Sequence, residues 1–198
     1  SMVLRSNHGP IPGVFKDELE HLRKDHVPRY LFRAWSTRNG GGPDVSVNSL
    51  KEIVPPAFVR HEGHKFYDMD ENHIKIITEA HYHGWSSPFT EFSSWSHSLA
   101  LVIGFYKHRK DTHIAVMDTQ QLDDDVKVWH CPHLGKRFNN YEFLVHGPIR
   151  GRGYKAVPLE KLLQAGLEID LEIVGNVASL FEHLRVPVAA ALLTILPR

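Results

Sequence analysis

The apolar residues of this chain come in short runs, and glycine, proline or acidic turns close most of them. Tyr30–Trp35 is followed by Asn39-Gly40-Gly41-Gly42-Pro43, and Tyr141–Val145 by Gly147-Pro148. Thr112–Asp118 and Lys127–His130 are parted by Asp123-Asp124-Asp125, which reads as a solvated loop. Runs of this length between turn residues read as short strands, and Tyr154–Val157 adds another. Helical spacing appears in Phe15–His26, through Phe15, Leu19 and Leu22, and helices are expected at Leu159–Gln164 and Leu167–Leu184. The strands and helices do not alternate as in a doubly wound sheet, and no repeat recurs. The expected fold class is therefore α+β, with short strands in two sheets and helices packed at their edges.

Three segments between these are assigned from local pattern. Val47–Val54 is expected to be a helix ended by Pro55-Pro56. His73–His83 places Ile74, Ile76, Thr78, Ala80 and Tyr82 on alternate positions and is expected to be a half-buried strand. Phe89–Phe92 is expected as a strand, after which Ser93 or Ser94 caps a helix running to about Lys107. Residues 1–13 carry Gly and Pro without periodicity and are expected to be a loose tail, with a single domain over residues 14–198. The glycines at 40–42 lack the strand-to-helix setting of a phosphate-cradling turn.

At 198 residues and 42% hydrophobic content the chain can bury a core as one domain. It carries 23 basic and 23 acidic residues, which argues against a protein whose main work is coating nucleic acid or an anionic membrane. Its one cysteine, Cys131, excludes an internal disulfide framework and fits a reducing, intracellular compartment. Ser1-Met2 reads as a cloning remnant, so a natural leader could have been removed and secretion stays open. The apolar run Ala189–Leu196 is too short to span a bilayer. The fifteen histidines include the pair His81 and His83 and the group His130, Cys131 and His133. Neither has the paired spacing of a zinc motif, and no metal site is expected.

Arg33 lies inside an apolar strand, on the face of Leu31 and Trp35. A guanidinium there must be paired, either with a core carboxylate or with a diphosphate, which its planar five-donor fork suits. Glu142 stands at the head of a short strand, with Asn140 expected on the same face. Such an acid is either an ordinary edge residue or a fixed anion that stabilises a sugar cation as a glycosidic bond breaks.

Taken in order, Tyr30-Leu31-Phe32-Arg33, Ser87-Pro88-Phe89-Thr90-Glu91-Phe92-Ser93-Ser94 and Asn140-Tyr141-Glu142-Phe143-Leu144-Val145-His146-Gly147-Pro148-Ile149 resemble a known set. They are similar to the three motifs of the Arg-Ser-Glu class of ADP-ribosyltransferases, the cholera-toxin-like and pierisin-like enzymes. With His113–Thr119 the match also resembles an uncharacterised group of fungal domains. It covers about Tyr30 to Leu163. The resemblance implies a split two-sheet core with flanking helices and NAD, as a substrate, in the cleft between the sheets. It implies that Arg33 holds the NAD phosphates and that Glu142 binds the nicotinamide ribose and stabilises its oxocarbenium-like transition state. Asn140 falls where relatives place the residue that orients the acceptor, and residues 135–139 would face that acceptor. The family's Ser-Thr-Ser strand falls on Glu91-Phe92-Ser93, so a glutamate stands at the leading serine and Ser93 or Thr90 is expected to supply the hydroxyl. The implied activity is transfer of ADP-ribose to a protein or nucleic acid. The rivals are NAD hydrolysis and a non-catalytic binding module of the same fold.

Overall fold

The structure, a computed structural model, describes residues 4–5, 7–36, 47–84, 89–106, 111–135, 139–164 and 178–193. An antiparallel six-stranded sheet forms its centre, in the order β6-β7-β4-β1-β5-β9. Its strands are β1 (Tyr30–Trp35), β4 (Phe92–Ser96), β5 (His113–Asp118), β6 (Lys127–His130), β7 (Glu142–His146) and β9 (Tyr154–Pro158). A second sheet, β2-β3-β8, joins Val47–Asn48, Glu52–Val54 and Ile149–Arg150. The fold class is α+β, as the run of short strands predicts, and no helix among the described residues is long and apolar enough to cross a membrane.

Pairing within the large sheet is uneven. β1 pairs with β5 along its whole length, from Tyr30–Asp118 to Trp35–His113. β4 pairs with β7 from Phe92–His146 to Ser96–Glu142. Between β1 and β4, however, the register pair among the described residues is Phe32 opposite Ser96 alone. The sheet is thus two well-knit halves joined at one seam.

Each half has its own cover. Phe32, Ala34, Ile114, Val116 and Val157 pack beneath helices α4 (Leu99–Tyr106), α6 (Leu159–Gln164) and the last helix, Arg185–Leu193. On the same face of the other half, Phe92, Trp129 and Leu144 pack with Leu19 of α1 (Gly13–His26) and Ile74 of α3 (Glu71–His83). The opposite face carries Leu31, Trp35, Trp95, Phe143 and Val145, which pack with Ile53 and Ile149 of the small sheet. Burial of this kind stabilises by about 25 cal/mol for each Å² of apolar surface removed from water.

Four expectations are corrected. His73–His83 belongs to helix α3: the Asp70 carboxylate accepts from the His73 N–H at 3.1 Å, and Gly84 closes the helix at φ 71°. The apolar residues at 74 and 76 look like strand alternation, but Ile74 is fully buried while Ile76 is 55% exposed, as helical geometry requires. Val47–Val54 is a hairpin instead of a helix, because the Ser49 hydroxyl accepts from the N–H groups of Lys51 and Glu52 and turns the chain. Ser93 and Ser94 cap no helix; they lie within β4, and α4 starts after Ser98, whose hydroxyl accepts from the Leu101 N–H at 3.2 Å.

The fourth correction concerns the expected loose tail. Leu4 and Ile11 are buried, and the fully buried Glu71 accepts from the Arg5 N–H at 2.6 Å and the Asn7 amide at 3.0 Å. A buried carboxylate needs such donors, and these hold the segment against α3. Residues 167–177 of the expected Leu167–Leu184 helix lie outside the described residues, as does the glycine run at 40–42. The helix at Arg185–Leu193 follows it in the chain.

Candidate functional site

The seam between β1 and β4 is where the candidate residues gather. Arg33 lies on β1 beside it, and its Nη1 donates to the Ser94 carbonyl at 2.7 Å. Where a strand pair would otherwise continue, a guanidinium from one strand caps a backbone acceptor of the other. Glu142 opens β7, opposite Ser96, and so shares a face with Ser94 and Ser96. The Ser94 hydroxyl lies beside the Glu142 carboxylate. Burial pushes that carboxyl above its ordinary 4.5, while the neighbouring Ser94 hydroxyl and the nearby Arg33 charge pull the other way. Arg33, Ser94 and Glu142 therefore form one cluster, although 109 residues of sequence separate the first from the last.

Behind Ser94 stands a residue that sequence reasoning assigned to a strand. His81, in the last turn of α3, places Nδ1 2.6 Å from Thr90 Oγ1 and Nε2 2.9 Å from Ser94 Oγ. The Phe92 N–H also donates to Thr90 Oγ1, at 3.2 Å. A neutral imidazole donates through one of these nitrogens and accepts through the other, so the ring engages both hydroxyls. Burial, followed by the Arg33 charge, lowers the His81 pKa from 6.5 to about 4, so the ring is neutral and single-donor at neutral pH. His81 thereby links Thr90, ahead of β4, to Ser94 in the middle of that strand.

Two cavities flank Arg33. One of about 300 Å³ is bordered by Arg33, Ser94, Ser96, Asn139, Tyr141 and Glu142. The other, about 130 Å³, lies toward the small sheet and is bordered by Arg33, Asn48, Ile53, His81, Thr90 and Ser93. A ligand extended across the seam would meet the guanidinium in the middle and the carboxylate on one side.

The remaining candidates are placed differently from expectation. Ser93 and Thr90 border the smaller cavity, but Ser93 Oγ accepts from Trp95 Nε1 at 3.0 Å and Thr90 is engaged by His81. The serine beside the acid is Ser94, three residues beyond Glu91. Glu91 does not approach Glu142: its carboxylate is buried between His64 and His146. Asn140 is exposed in the turn before β7, where its carbonyl lies 2.9 Å from His130 Nε2, so it shares no strand face with Glu142. Asn139 and Tyr141 border the larger cavity in its place. Residues 86–88 and 136–138 lie outside the described residues. Of the two histidine groups, His81 is taken up by its hydroxyl partners, and Cys131 is a buried thiol whose pKa burial raises.

A protein-family profile described as a domain of unknown function, DUF7587, matches residues 26–157. The chain belongs to that family. The matched span runs from the end of α1 through β9 and contains Arg33, His81, Ser94 and Glu142. No curated protein and no solved structure matches the chain.

Proposed function

We propose that this domain binds NAD across the β1–β4 seam, cleaves its nicotinamide–ribose bond and passes ADP-ribose to a macromolecular acceptor, protein or nucleic acid. The observation that carries the reading is the convergence of Arg33, Ser94 and Glu142 beside one cavity. Arg33 serves as the diphosphate clamp, since its planar donors suit two phosphate oxygens at once. Glu142 lies where it can accept from ribose hydroxyls and face the positive charge that develops as nicotinamide leaves. Ser94, held by His81, fixes the orientation of that acid before the charge appears. In this reading the two sheets are the divided core of an ADP-ribosyltransferase, and NAD is a consumed substrate.

The exposed position of Asn140 favours one alternative, NAD hydrolysis, because no side chain of acceptor-orienting type from that position joins Glu142. Incubation with NAD labelled in the ADP-ribose portion separates the two. Nicotinamide release with label on protein or nucleic acid supports transfer, and release of free ADP-ribose alone supports hydrolysis. No release from a folded protein overturns both.

A further inference from the structure

Glu91 is a carboxylate buried to 3% exposure, and a buried charge must be compensated. Its Oε2 accepts from the His64 N–H at 3.0 Å and faces His146 Nε2 at 2.8 Å; its Oε1 faces His64 Nδ1 at 2.8 Å. Among the described residues its ion-pair partners are these imidazoles, with no lysine or arginine. A third imidazole adjoins them. His73, fixed in the first turn of α3 by Asp70, meets the His64 ring edge-on at 5.7 Å between centroids. One ligating atom each from His64, His73 and Glu91 lie within 4.8 Å of one another.

We propose that His64, His73 and Glu91 form a binding site for a divalent transition-metal cation of the zinc type. Two imidazole nitrogens and one carboxylate oxygen are a donor set for a borderline cation, whereas calcium or magnesium would call for oxygen ligands. Metal–ligand bonds of about 2.0–2.2 Å place tetrahedral donors roughly 3.5 Å apart. Reaching that spacing asks for a small rotation of His64 and His73, both exposed, while Glu91 stays fixed. His146 supplies the outer support such a site needs: its Nε2–H holds Oε2 and leaves Oε1 for the cation. Three protein ligands leave a fourth position for water. The cation would tie the loop at His64, the start of α3 and the entry to β4 together. None of its ligands borders the Glu142 cavity, so this site does not rest on the NAD reading.

The test uses the whole chain, stripped with a chelator, dialysed and titrated with Zn²⁺ by calorimetry and with Co²⁺ by visible absorption. His64→Ala, His73→Ala and His133→Ala are compared with wild type, each checked for an unchanged far-ultraviolet spectrum. The expected result is one equivalent bound with a tetrahedral Co²⁺ spectrum. Loss of His64 or His73 should weaken binding by roughly a hundredfold or more, and loss of His133 should change nothing. Absence of stoichiometric binding, or binding equally strong in His64→Ala and His73→Ala, overturns the proposal. So does binding that depends on His133 alone, which would put the ion at the other histidine pair.

Discussion

His81 reaches from the last turn of α3 to the middle of β4, where its Nε2 stands 2.9 Å from the Ser94 hydroxyl. That contact joins a helix which sequence pattern mistakes for a strand to a strand which it mistakes for a helix cap. Through it, the serine beside Glu142 is held by a histidine 61 residues before that acid in the chain.

The neutrality of His81 sets a pH dependence of stability. Its pKa is about 4 in the folded chain against an ordinary 6.5, so between those values the unfolded chain binds a proton that the folded chain refuses. Its contribution is fully present above about pH 6.5, declines as pH falls toward about 4 and is lost below that. His81→Gln removes this part of the slope. Urea midpoints at about pH 7 and about pH 4.5 should fall further for wild type than for the variant. Equal falls would show that His81 is not a proton-refusing group.

Ser94 lies beside Glu142, whereas Glu91 is held away from it by His64 and His146. Ser94→Ala should lower nicotinamide release by roughly tenfold while leaving the fold intact, because it loosens the acid without removing it. Glu91→Ser, which restores a serine at the aligned position, should not raise activity. It should cost about 2 kcal/mol or more of stability by stripping His146 and His64 of their buried acceptor. Paired urea titrations and nicotinamide assays check both, and a gain of activity in Glu91→Ser would return the motif to its aligned register.

Arg33→Lys keeps the charge but loses the planar fork. NAD affinity measured by calorimetry should weaken by roughly tenfold or more, with the fold preserved. An unchanged affinity would remove Arg33 from the phosphates and leave it as a structural cap on the Ser94 carbonyl.

Glu142→Gln retains size and much of the hydrogen bonding but deletes the negative charge. The loss should fall on turnover, on the order of a hundredfold or more, with NAD affinity little altered, because the charge acts mainly in the transition state. Steady-state nicotinamide release by wild type and a folded variant decides it. Equal rates would sink the assignment of chemistry to this residue.

What sequence could and could not reveal follows from the range of the forces involved. The strands at Tyr30–Trp35, Lys127–His130 and Tyr154 onward were readable because turn residues bracket them and their side chains fill a core on both faces. Arg33 and Glu142 were readable because a charge on such a strand demands an explanation. His81 was not, because its role depends on the Asp70 cap and Gly84 stop that make α3 a helix, and on two hydroxyls that only the fold brings near. Which serine lies beside the acid is hidden for the same reason. Phe92-Ser93-Ser94-Trp95-Ser96 offers three serines in five positions, and only the pairing of Ser96 with Glu142 shows which hydroxyls face the acid. The hairpin of β2 and β3 reads as a helix because a serine turn of three residues hides inside an apparent helical segment.

The single register pair between β1 and β4 has a mechanical consequence. On one face each half has its own helices, so cohesion across that line comes from the Phe32–Ser96 pair, the Arg33–Ser94 contact and the shared core of Leu31, Trp35, Trp95 and Phe143 on the other face. A molecule that touches Arg33 on one side and Glu142 on the other acts as a rivet through the joint. Its binding free energy is added to the cohesion of the two halves, and the domain it leaves behind after release is the more compliant one.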